Sequence, residues 1–163
     1  MSPTSPPRRL LTHPAGWVAC GFGVGLLPKA PGTFGSLAAL VPWWLWLRHL
    51  PALEYWIVLA LALAVGIWAA SWVIARLGVE DPGVVVWDEF LGQWIALFAA
   101  PAGWPWMLGG FALFRLFDIW KPWPVSWADR RLKGGTGAML DDVLAGMYAL
   151  AVLQLVGRAI APT

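Results

Sequence analysis

Residues 84–100 read VVVWDEFLGQWIALFAA, an apolar run that carries Asp88 and Glu89 side by side. Moving unpaired carboxylates out of water is costly, so buried acids pair, protonate or bind a metal. Any fold open to this chain must bring something cationic to that pair.

The setting is a membrane. Hydrophobic residues make up 60% of the 163 and charged ones only 12%, with a mean hydropathy of +0.67. Soluble domains carry about 25% charged residues. The 14 tryptophans fit as well, because Trp collects where bilayer meets water. A net charge of +2 with no Lys/Arg run argues against nucleic acid as a partner. Cys20 is the single cysteine, which excludes an internal disulfide and a cysteine metal site. The length suits one domain. Residues 1–20 are expected as a flexible tail without a cleaved signal peptide, and residues 21–163 as a single helical membrane domain.

Organisation follows from apolar runs and their breaks. A glycine-rich loop over residues 21–35 opens onto a helix at about residues 33–47. The run EYWIVLALALAVGIWAASWVIARL is about 24 residues, ~36 Å as a helix, enough to cross a bilayer. GVEDPG reads as a turn. Residues 84–120 divide at PAGWP into two halves of about 17 residues each, and a last apolar run covers residues 138–160. With two crossings in 84–120, Arg8, Arg9, Lys29, Arg76, Arg115, Lys121, Arg130, Arg131 and Lys133 share one side, leaving Arg48 and Arg158 on the other. The positive-inside rule makes the crowded side cytoplasmic. The expected fold is therefore an all-α integral membrane bundle of about five transmembrane or partly re-entrant helices. Its polar site faces the cytoplasm, and nothing in the sequence fixes an oligomeric state.

This topology collects Asp88, Glu89, Asp118, Asp129, Asp141 and Asp142 at one face, with Lys29, Arg115, Lys121, Arg130 and Arg131 beside them. Clustered acids repel unless a cation lies among them, and hard oxygen ligands select Mg²⁺, Mn²⁺ or Ca²⁺. Neither His13 nor His49 lies near an acid in sequence, so zinc is not expected. Asp88 and Gly92, and likewise Asp142 and Gly146, are four residues apart and share a helix face. The glycines allow close backbone approach around the carboxylates. The loop GFGVGLLPKAPGTFGS supplies backbone N–H groups, Lys29, Thr33 and Ser36, and GGTG at residues 134–137 repeats the theme. Either is a weak anion-binding signal alone. Acids for a divalent metal, bases for an anion and a membrane surface together suggest a phosphorylated lipid headgroup as ligand.

Four segments, GFGVGLLPKAPGTFGSLAAL, VWDEFLGQWIAL, FRLFDIWKPWP and GGTGAMLDDVLAG, resemble the signature motifs of the phosphatidylglycerophosphatase A family, in that family's order, over residues 21–155. The resemblance implies a Mg²⁺-dependent enzyme of the bacterial inner membrane. It would hydrolyse phosphatidylglycerophosphate to phosphatidylglycerol and inorganic phosphate, with its site facing the cytoplasm. On this reading Asp88, Glu89, Asp141 and Asp142 hold one or two Mg²⁺, with Asp118 a further ligand or base. Lys29, Arg115, Lys121 and Arg130 clamp phosphate, and Asp129 orients Arg130 or meets the metal. Attack by water and a phospho-enzyme on Thr33 or an Asp both stay open.

Other phosphatase chemistries fit poorly. Cys20 has Leu26 where a cysteine phosphatase needs Arg, and no Asp-x-Asp pair occurs. The alternatives are a phosphatase for another lipid phosphate, a divalent-cation transporter, whose acids should spread through membrane depth, and a structural subunit whose charges only pair with each other.

Overall fold

The computed structural model describes residues 7–160. The described residues are helical throughout, with no strand among them, as the all-α expectation requires. The α-helices are α1 Pro14–Ala19, α2 Pro31–Leu45, α3 Ala52–Leu77, α4 Trp87–Ala96, α5 Trp104–Trp120, α6 Val125–Arg131 and α7 Gly134–Ile160, with short 3₁₀ turns at Pro7–Thr12, Gly21–Leu26 and Leu47–His49.

The boundaries follow local chemistry. Pro31 starts α2, since its missing N–H would be unpaired there anyway. Gly78, left-handed at φ 68°, closes α3 and returns its N–H to the Ile74 carbonyl at 2.8 Å. The expected tail over residues 1–20 needs correcting from residue 7 onward. His13 caps α1 by accepting from the Ala15 N–H at 3.1 Å, and Leu10, Ala15, Ala19 and Cys20 pack in one cluster with Ala69, Ala70 and Val73 of α3. Residues 1–6 lie outside the described residues.

The break expected in residues 84–120 is present, but the first half is shorter than its apolar run. α4 has 10 residues, about 15 Å, against the ~30 Å of a hydrocarbon core. Beyond its acidic first turn it is buried, with Phe90, Leu91, Gly92, Gln93, Trp94, Ile95 and Ala96 all inside. α2, α3, α5 and α7 surround it. Two helices, α3 and α7, are long and apolar enough to cross a membrane. Apolar side chains also face outward: Phe34, Leu37, Val41 and Leu45 along α2, and Leu53, Ile57, Leu61, Val65 and Trp68 along α3. Their three- and four-residue spacing makes each row a continuous helix face.

Helix direction brings the polar ends together. α4 and α7 begin where α3 and α5 finish, and α4 crosses α7 at two glycines. A Cβ on Gly146 would lie 2.5 Å from the Gly92 carbonyl oxygen, and one on Gly92 would lie 2.7 Å from the Asp142 carbonyl oxygen. Both obstacles are backbone and cannot swing away. Gly146→Ala should therefore cost about 1–3 kcal/mol of overpacking, read as a lower thermal midpoint of the detergent-solubilised protein. An unchanged midpoint would contradict the crossing.

Candidate active site

At this shared end lies a cavity of about 280 Å³ whose walls come from distant parts of the chain. α4 contributes Asp88 and Glu89, and α5 contributes Arg115 and Asp118. Lys121 and Asp129 follow, and α7 adds Gly134, Gly137, Asp141 and Asp142. Carboxylate oxygens of Asp88, Glu89 and Asp142 can all lie within 4.8 Å of one another. Asp142 is buried, and Asp88 and Glu89 are half-buried.

Arg115, Asp118, Lys121, Asp129 and Asp141 are paired. Arg115 Nη1 meets Asp118 at 2.6 Å and stands 4.0 Å from Glu89. Lys121, in the left-handed region at φ 48° where α5 ends, bridges Asp129 at 2.5 Å and Asp141 at 2.8 Å. Burial alone would lower the Lys121 pKa. Its hydrogen bonds to Asp129 and Asp141, and their charges, outweigh burial and hold the ammonium above its ordinary value. Asp88 accepts the Glu89 backbone N–H at 3.0 Å but has no ion pair among the described residues. Burial first, then the charges of Glu89 and Asp142, raise its carboxyl well above the usual range.

The donor set fits a hard divalent cation. Asp88, Glu89 and Asp142 supply only oxygens, and Glu89 Oε2 is buried with no hydrogen-bond partner among the described residues. Gly32 allows this crowding, because a Cβ there would collide with Glu89 Oε1 and lie 3.4 Å from Arg115 Nη1. Asp118, Asp129 and Asp141, which stand outside the trio, are already paired with Arg115 or Lys121.

Of the residues singled out from sequence, Asp88, Glu89, Arg115, Asp118, Lys121, Asp129, Asp141 and Asp142 line the cavity. Lys29, Thr33 and Arg130 do not. Lys29 is exposed before α2, Thr33 lies half-buried in its first turn, and Arg130 turns back to the Ser126 carbonyl at 2.9 Å. His13 stacks on Trp72, and His49 accepts from Arg48, so both stand in other surroundings. Sequence reasoning missed Glu80, Asp81 and Lys133, which also line the cavity. GVEDPG was legible as a turn, but only the fold swings it to the cavity mouth, where Lys133 pairs with Glu80 at 3.1 Å.

Comparison with known proteins follows the same outline. The family model described as Phosphatidylglycerophosphatase A matches residues 17–157. The chain is 43% identical over 152 residues to a protein of Escherichia coli (strain K12) named phosphatidylglycerophosphatase A, covering 93% of this chain and 88% of that one. A protein of the same name from Haemophilus influenzae is 43% identical over 155 residues, covering 94% and 95%. A Bacteroides thetaiotaomicron protein, provisionally named a phosphatidylinositol-3-phosphatase, is 43% identical over 145 residues, covering 85% and 90%. No solved structure matches the chain.

Proposed function

The chain belongs to the phosphatidylglycerophosphatase A family, and from that premise we propose how its side chains serve the reaction. The reaction is hydrolysis of phosphatidylglycerophosphate to phosphatidylglycerol and inorganic phosphate. The observation that carries the mechanism is the grouping of Asp88, Glu89 and Asp142 in one cavity with Arg115 and Lys121.

Asp88, Glu89 and Asp142 are the residues that would hold Mg²⁺. When bound, Mg²⁺ supplies charge neutralisation at phosphoryl oxygens and a lowered pKa for water. Arg115 and Lys121 face the same cavity and stabilise the negative charge of the transferring phosphoryl group. Asp118 and Asp141 are positioning residues. Each fixes one of these cations at the cavity wall through an ion pair. Gly134 and Gly137 bring the start of α7 to the cavity, where helix N–H groups favour an anion. Thr33 stands outside the cavity, which favours attack by water over a phosphothreonine intermediate.

The same reading puts the protein in the bacterial inner membrane with the cavity at the cytoplasmic face. Arg76, Arg115, Lys121, Arg130, Arg131 and Lys133 lie toward the cavity end of their helices, while Arg48 and Arg158 lie toward the opposite ends of α2 and α7. α3 and α7 serve as full crossings. α4 enters the bundle part-way, shielded from lipid by its neighbours.

Phosphate release by the purified protein from a panel of lipid phosphates tests the substrate assignment. Phosphatidylglycerophosphate is expected to turn over fastest. Faster release from phosphatidate or from phosphatidylinositol 3-phosphate would move the assignment to that lipid.

A further inference from the structure

Gln93 is wholly buried on α4, and neither its amide oxygen nor its amide nitrogen has a hydrogen-bond partner among the described residues. A dry, unpaired amide is expensive, and buried polar groups as a rule find partners. Gln93 lies four residues beyond Glu89, so it occupies the same helix face one turn deeper. Two nearby groups are in the same condition, Glu89 Oε2 and Arg115 Nε.

α2 packs along α4 beside these groups. Gly32 packs against the Glu89 carboxylate, and the Ala39 carbonyl accepts from the Trp94 indole at 2.9 Å. The two helices therefore run side by side in one direction. Ser36 lies between those contacts, and its buried hydroxyl accepts from Arg115 Nη1 at 3.5 Å.

We infer that Gln93 is a positioning residue for Glu89, its amide linked to Glu89 Oε2 through one bridging water. Removing such a support typically weakens metal binding by about 10–100-fold. The inference rests on the reading of Asp88, Glu89 and Asp142 as the metal cage.

The test uses the full chain in detergent, with Mn²⁺ as the probe and its binding followed by electron paramagnetic resonance. Gln93→Leu is expected to weaken Mn²⁺ binding about 10-fold or more and to lower kcat with little change in KM. The thermal midpoint of the metal-free protein should stay close to the wild type, since leucine fills nearly the same volume as glutamine. Should Gln93→Leu misfold, Gln93→Asn, which keeps the amide but shortens its reach, is expected to show the same loss in milder form. Wild-type Mn²⁺ affinity and kcat in the folded variant would overturn the role. A wild-type protein that binds no Mn²⁺ would instead overturn the metal reading beneath it.

Discussion

Asp142→Asn should abolish phosphate release from phosphatidylglycerophosphate while the helices stay assembled. Asp142 is 4% exposed on α7 and shares the carboxylate trio with Asp88 and Glu89. The amide keeps the volume of the side chain but removes one anionic oxygen donor from three. On the proposed mechanism a metal contributing several kcal/mol of transition-state stabilisation would then be lost or displaced, so turnover should fall by roughly 10³-fold or more. The fold should survive, because a neutral amide is cheaper to bury than a carboxylate beside two others. Phosphate release and circular dichroism on the same preparation separate the two effects. Asp88→Asn is expected to behave alike, and near-wild-type turnover in either variant would remove that residue from the site.

Lys121→Met should damage stability and activity together, for a different reason. Lys121 neutralises Asp129, which is more than a third exposed, and Asp141, which is not. The exposed half of the bridge contributes little. The Asp141 half leaves a buried carboxylate uncompensated next to Asp142. Breaking a fully buried pair costs about 3–5 kcal/mol, and partial exposure here reduces that to roughly 2–3 kcal/mol. On the proposed mechanism activity should fall about 100-fold or more, because Lys121 stabilises the phosphoryl charge there. Adding Asp141→Asn to Lys121→Met should restore the thermal midpoint but not the turnover, a coupling that a double-mutant cycle measures. Additive losses in both readouts would show that Lys121 and Asp141 do not work as a pair.

The long elements and the polar cluster were legible because each is a property of composition over a window. α3 follows from an unbroken apolar run, and the break after α4 follows from Pro101, Gly103 and Pro105. The acids stood out because carboxylates are rare in such surroundings. What the sequence could not supply was tertiary in origin. Apolar residues continue to Ala100, yet α4 ends at Ala96, and Ala99 turns left-handed at φ 50°. α6 was hidden in residues 121–133, where prolines and charges mask seven helical residues. Equally, Lys29 and Thr33 sit in a motif whose glycines and proline matter at the cavity, through Pro31 and Gly32, while their own side chains do not reach it. Sequence proximity to a motif did not separate backbone that makes room from side chains that act.

Acids from α4 and α7 are held to meet around a divalent cation on which the reaction depends. The most direct test is phosphate release by the purified protein after metal is stripped with a chelator, and again after Mg²⁺ is added back. Release should cease on stripping and return with Mg²⁺ in the wild type, but not in Asp142→Asn. Undiminished turnover in the stripped wild-type protein would contradict a metal-holding role for Asp88, Glu89 and Asp142.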